Sequence, residues 1–274
     1  MKNLALFALA VAGTLSMSTF VGGCSSSDRN EPTPPAAPKS YVLVHGAWMG
    51  AWCWNEVAQQ LRADGEIVTT VELPAHGDDH TALADATLDA YVAKVSAAVD
   101  TSATPVILVG HSLGGVVVTA VAEHEPSKIA KLVYVGAFLP KDGQSLFDLA
   151  STDPDARLGK VLVIDKEHGI ASVPTDSLAD VFLADGSPDE VSLLQSRYRD
   201  EPLAPFVTPV HTTAANWGAV TKAYIFTKED HAISYGAQQR MTAGVAFAKT
   251  AVIDTSHSPF LSQPAIVVSS LRGM

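Results

Sequence analysis

The stretch VILVGHSLGGVVV, Val106 to Val118, carries the fold in miniature. Four β-prone residues run into Gly110-His111-Ser112-Leu113-Gly114, and an apolar segment follows. In that setting a G-x-S-x-G reads as a sharp strand-to-helix turn with a serine at its apex. The serine needs a strained backbone, and side chains two residues before or after it would clash, hence the two glycines. Such a turn exposes the Ser112 hydroxyl at a helix N-terminus. There the Leu113 N–H and the positive end of the helix dipole face a developing anion. The bland alternative is a glycine-rich βα turn, but the flanking strand and helix favour a nucleophile. A phosphate loop is disfavoured, because no Gly-Lys-Ser/Thr follows.

Outward from this turn, Val- and Ile-rich runs alternate with segments of helical period. The strands expected are YVLVH, IVTTVEL (67–73), VILVG (106–110), KLVYVGAF (131–138), AYIFT (223–227) and TAVID (250–254). They are apolar on both faces, as buried parallel strands are. Helices are expected at about 52–63, 88–100, 113–124, 235–246 and 259–271. The class is therefore α/β: a sheet of about six mostly parallel strands, flanked by helices. Between Phe138 and Ala223 the rhythm breaks, and a structureless loop of that length is improbable. Residues of about 141–215 read as an inserted cap, helical with some irregular chain, roofing the carboxyl ends of the strands.

A serine hydroxyl needs a base to take its proton. Of nine histidines, His257 in VIDTSHSPFLSQP stands just past the last strand and before the last helix, at the edge of the sheet that bears Ser112. His45 and His111 also end strands, but each sits in a turn motif suited to structural hydrogen bonding. His76, His80, His124 and His168 have no comparable placement. A carboxylate should hold the imidazole, and AYIFTKEDHAIS offers Glu229 and Asp230 at a strand end, in the order Ser, acid, His. Asp230 is preferred and Glu229 is second. Asp254, three residues before His257, suits a structural cap. The second oxyanion donor is sought after the first strand, in VHGAW, where Gly46 permits close approach and Ala47 supplies the N–H. Gly46, Trp48, His111 and Trp217 are the pocket candidates, with His211 a weaker one. Trp52 and Trp54 are expected in the first helix, packed on the sheet. The apolar cap runs LFDLASTD and DVFLADGS suit a small hydrophobic ester.

The 274 residues suffice for one large core, and a net charge of −11 argues against nucleic acid. No Cys/His spacing suggests a metal and the chemistry needs no cofactor. Oligomeric state is not encoded in any visible pattern. The first 24 residues, MKNLALFALAVAGTLSMSTFVGGC, have the layout of a secretory signal. VGGC resembles the lipobox of bacterial lipoproteins, with Cys24 as the lipidated residue and membrane anchor. Simple cleavage near Gly23, giving a soluble exported protein, is the alternative. Residues 25–39 are a Ser/Pro-rich tether, and Ser25 after the cysteine implies the outer membrane in such lipoproteins. The domain proper is then 40–274. With Cys24 lipidated, Cys53 has no disulfide partner.

Taken together, HGAWMGAWCW, GHSLGG, VYVGAFLP, YIFTKEDHAI and DTSHSPFLSQP resemble the α/β-hydrolase superfamily. More narrowly they are similar to the branch containing plant methylesterases and hydroxynitrile lyases, with bacterial esterase-like relatives. The resemblance runs from about Tyr41 to the C-terminus. It implies a triad of Ser112, Asp230 and His257, oxyanion donors at Ala47 and Leu113, and ester hydrolysis through an acyl-enzyme. Hydroxynitrile lyases of this branch carry threonine where this chain has Gly46 and lysine where it has Ser258, so cyanohydrin cleavage is not expected. Met49 replaces a histidine common in relatives. The rival expectations are C–C lyase chemistry on the same scaffold and a non-catalytic ligand-binding relative.

Overall fold

The structure is a computed structural model and describes residues 37–274. The signal segment, Cys24 and most of the tether lie outside the described residues. Six strands form one sheet: β1 (Ser40–Val44), β2 (Ile67–Val71), β3 (Val106–His111), β4 (Ile129–Val135), β8 (Lys222–Thr227) and β9 (Lys249–Ile253). Their order is β2-β1-β3-β4-β8-β9, and every pairing is parallel. β1 and β3 are buried throughout, which is why their sequences are uninterrupted runs of apolar residues. β2 and β9 are the edges and are partly exposed.

The chain leaves β1 in one direction to make β2, then returns across it to make β3. Right-handed crossovers therefore put α1 (Asn55–Ala63) and α2 (Leu88–Asp100) on opposite faces. α3 (Gly114–His124) packs beside α2, and α11 (Pro264–Gly273) beside α1. The neighbouring carboxyl ends of β1 and β3 form the topological switch point, where open α/β sheets bind ligands. The Gly46–Trp48 loop and Ser112 are both there.

Several boundaries differ from expectation for local reasons. β4 stops at Val135 because Gly136 turns the chain with a φ of 47°. Trp52 and Trp54 precede α1, in a 3-10 turn at Ala51–Trp54; Trp54 is fully buried and packs in a tilted contact with Phe260, ring centroids 4.7 Å apart. α9 (Tyr235–Thr242) is shorter than expected, and Gly244 with a φ of 81° follows it. The last helical stretch divides into α10 (Pro259–Ser262) and α11, because Pro264 cannot continue a helix but suits the first turn of a new one.

Between β4 and β8 the insertion carries α4 (Leu146–Ala150), α5 (Leu158–Val161), β5 (Val163–Asp165), β6 (Ile170–Ser172), α6 (Leu178–Phe182), α7 (Pro188–Arg197), β7 (Glu201–Pro202) and α8 (Ala204–Val207). Ser145 and Ser187 open α4 and α7 with capping boxes. The antiparallel sheet β5-β6-β7 was not expected. Its strands are two or three residues long, too short for alternation to register in sequence.

Candidate active site

Ser112 follows β3 with a φ of 52°, in the left-handed region that a side chain ordinarily avoids. The glycines around it are enforced by contact. A Cβ on Gly110 would lie 2.6 Å from the Gly114 carbonyl oxygen, and one on Gly114 would lie 2.7 Å from that of His45. The second clash matters most, since it shows how closely α3 is pressed onto the end of β1. Gly46 has the same constraint. A Cβ there would sit 2.7 Å from Ser112 Cβ and 2.9 Å from His111 Nδ1.

The loop after β1 is held from below by His45. Its Nδ1–H donates to the Gly46 carbonyl at 2.8 Å, and Nε2 accepts the Leu73 N–H at 3.1 Å. That pattern requires a neutral ring, and burial together with the nearby charge of His76 brings its pKa down to about 3. Trp48 has a φ of 61°, a backbone strain of about 1–3 kcal/mol that surrounding contacts must offset. Ala47 and Leu113 both line the cavity beside Ser112. Among the described residues neither amide donates to another group.

Asp230 lies three residues past β8 and is buried. Its Oδ1 accepts the backbone N–H groups of Ala232 and Ile233, each at 2.8 Å. Its Oδ2 accepts the Thr227 hydroxyl at 2.7 Å and faces His257 Nδ1 at 2.8 Å. A carboxylate so satisfied is acceptor-only, so His257 carries its proton on Nδ1 and presents Nε2 as a base. The two rival acids are elsewhere: Glu229 is exposed, and Asp254 is 75% exposed and paired with Lys228. His111 ties the serine turn to the histidine turn. Its Nε2–H donates to the His257 carbonyl at 2.8 Å, and the two rings lie 4.5 Å apart. Burial, then the neighbouring His257, pushes the His111 pKa well down, so it stays neutral.

Above Ser112 is a cavity of about 250 Å³, lined mainly by apolar groups, with Ser151 and Asp153 among the polar exceptions. The sheet side contributes Ala47, Trp48, Leu113 and Phe138, and the insertion contributes Leu146, Leu149, Leu158 and Phe206 among others. Of the pocket candidates, Trp48 lines it, with its ring tilted against Phe182 at 5.3 Å and edge-to-face with Phe206 at 5.6 Å. Gly46 and His111 lie beneath it as packing and hydrogen-bonding elements. Trp217 is not a lining residue. Its indole donates to the Tyr134 hydroxyl at 3.0 Å and stacks under Lys222, because the chain has already left the insertion for β8. His211 is 80% exposed beside Asp142 and does not line this cavity. His76 had no distinguishing placement in sequence and Glu201 was not singled out; they are fully buried partners 2.6 Å apart. No sequence signal pairs a loop after β2 with the insertion.

A strained serine, a carboxylate-held histidine and two free amides on a parallel sheet define a hydrolase scaffold. The chain belongs to the α/β-hydrolase family, whose family model matches residues 41–270. Within that family it falls in the methylesterase-like branch. It is 32% identical over 247 residues to methylesterase 9 of Arabidopsis thaliana, covering 82% of this chain and 94% of the relative. It is also 32% identical over 256 residues to "Putative methylesterase 15, chloroplastic" of Arabidopsis thaliana, covering 86% of this chain but 56% of that protein. The chain thus spans little over half the length of that chloroplastic relative. The crystal structure of polyneuridine aldehyde esterase superposes with a TM-score of 0.78 at 25% identity, over 86% of this chain and 99% of that one.

Proposed function

We propose that the protein is a serine carboxylesterase acting on small hydrophobic esters, with Ser112, Asp230 and His257 as its triad. The observation that carries this is the 2.8 Å Asp230–His257 contact, tied through the His111 bond to the His257 carbonyl to a strained Ser112 that lines an apolar cavity. His257 takes the Ser112 proton as the hydroxyl attacks the ester carbonyl. The Ala47 and Leu113 amides hold the oxyanion, each worth about 3 kcal/mol of barrier. The alcohol leaves with the proton from His257, and water then repeats the sequence on the acyl-enzyme. Residues of about 141–215 act as the cap that excludes charged substrates, and the names of the relatives agree with ester cleavage.

Lyase chemistry is the second reading, and Gly46 speaks against it. The threonine of such lyases has no room on this backbone, where a Cβ already overlaps Ser112. The test is labelling with a fluorophosphonate, followed by turnover of p-nitrophenyl acetate, p-nitrophenyl butyrate and mandelonitrile. Ester turnover that disappears in Ser112→Ala, with no cyanide release, is expected. Undiminished turnover in pure Ser112→Ala would sink the assignment, and absence of labelling would favour a binding protein.

For the N-terminal segment, the sequence supports export and lipidation at Cys24, with anchoring to the outer membrane through the 25–39 tether. Incorporation of labelled palmitate, lost in Cys24→Ala, checks this. Among the described residues no helix is long and apolar enough to cross a membrane.

A further inference from the structure

Glu201, His76 and Tyr91 are fully buried, yet none of them lines the cavity. They come from three parts of the chain: β7 of the insertion, the segment after β2, and α2. Glu201 Oε2 accepts His76 Nε2–H at 2.6 Å and the backbone N–H of Trp48 at 2.9 Å. Its Oε1 accepts the Tyr91 hydroxyl at 3.2 Å. His76 Nδ1 lies 2.9 Å from the Pro74 carbonyl, so both ring nitrogens face acceptors and both carry protons. The pair is therefore a buried imidazolium and carboxylate. Burial by itself would lower the His76 pKa, but the charge and hydrogen bond of Glu201 raise it overall.

Trp48 is gripped at three points by the insertion. Glu201 takes its amide, the Arg199 N–H donates to its carbonyl at 3.2 Å, and its indole N–H donates to the Ala171 carbonyl at 2.9 Å. The amide contact has the most direct chemical consequence. The Trp48 N–H belongs to the peptide plane that begins at Ala47, so fixing it fixes ψ of Ala47. The direction of the adjoining Ala47 N–H is then constrained from its carboxyl side.

We propose that Glu201 is a positioning residue for the oxyanion hole: held by His76 and Tyr91, its carboxylate fixes the Trp48 amide and so aims the Ala47 N–H at the acyl oxygen. This rests on the reading of Ser112 as nucleophile and Ala47 as donor. A carboxylate is required because one oxygen serves two donors, Trp48 and His76. A glutamine oxygen could accept both only by leaving the imidazolium uncompensated, and a flipped amide would set N–H against N–H at Trp48. The insertion thereby reaches the reacting centre without touching substrate.

The test compares wild type and Glu201→Gln in the full-length protein, with p-nitrophenyl butyrate as substrate. A trifluoromethyl ketone, which adds to serine and places negative charge in the oxyanion hole, and toluene, a neutral apolar molecule that does not, serve as inhibitors. Since loss of a whole donor costs about 100–1,000-fold, a misaimed one should lower kcat by about 10-fold or more while KM holds within about twofold. Ketone affinity should fall by the same factor as kcat/KM, and toluene affinity should not change. Unchanged kcat, or equal weakening of ketone and toluene, overturns the proposal. If Glu201→Gln does not fold, Glu201→Asp, which keeps the charge but withdraws the oxygens, is read by the same split. Wild-type protein without Ser112-dependent turnover overturns the esterase reading and this proposal together. Turnover in wild type with an indifferent Glu201 variant overturns this proposal alone.

Discussion

At the scale of single residues, Gly46 and Ser112 share one constraint. The nucleophile's Cβ occupies the space in which a side chain at 46 would begin. Gly46→Thr should therefore displace Ser112 or the Ala47 amide, and a misplacement of about 1 Å costs about 100-fold in rate. Esterase kcat/KM is expected to fall by about that factor, with no cyanide released from mandelonitrile. Cyanohydrin turnover by the variant would show that the loop can yield. The Ser112 turn and its glycines were legible because a strained turn demands particular residues at fixed spacing, whereas His257 was singled out only by its place between the last strand and the last helix. The sequence already favoured Asp230 over Glu229, and the structure sets them apart: Asp230 is buried with Oδ2 2.8 Å from His257 Nδ1, whereas Glu229 is exposed. Glu201 was not readable at all. It pairs with His76 across 125 positions, and nothing local distinguishes it from the surface acids around it.

At the scale of elements, the parallel strands were legible because burial on both faces leaves a continuous apolar run. Their ends were less so, since Gly136 and Pro264 terminate elements by backbone geometry that hydrophobicity does not encode. The insertion was legible only as a break in rhythm. One contact that fixes it to the acid-bearing loop is Asp153, just past α4. Its carboxylate accepts the Ser234 N–H at 2.8 Å and the Ser234 hydroxyl at 2.6 Å, and Arg240 lies 3.5 Å away. Ser234 in turn caps α9 by accepting the Ala237 N–H. Asp153→Ala strands a half-buried amide at the helix start, which costs about 1–3 kcal/mol. A drop in denaturant midpoint with an unchanged m-value is the expected result. No drop would mean that Ser234 finds another acceptor.

For the whole molecule, the buried histidines set how stability varies with pH. His45 and His111 are neutral in the fold, with pKa values depressed to about 3 and well below normal respectively. In the unfolded chain both titrate near 6.5. Their contribution is complete above 6.5 and is lost as pH falls from there toward the folded values, because unfolding takes up protons. His76 behaves oppositely. Its raised pKa contributes stability below 6.5 that disappears as pH rises through the folded value. Thermal unfolding from pH 4 to 9 should therefore show losses on both sides of neutrality. His45→Gln should make the acid limb shallower by one proton, and an unaltered slope would contradict the neutral assignment.

The strand order has a consequence in time as well as in space. β1 is laid down first yet sits inside the sheet, where Tyr41 pairs with Val68 on one side and Ile107 on the other. No two neighbouring strands of the six-stranded sheet form a hairpin, so each pairing waits for a helical crossover to close. Such non-local topologies fold slowly, and the chain spends that interval with VILV-type segments bare. The single β-hairpin among the described residues, β5–β6, belongs to the insertion. The part that carries Glu201 can thus begin local order early, while the nucleophile's turn has to await both of its flanking strands.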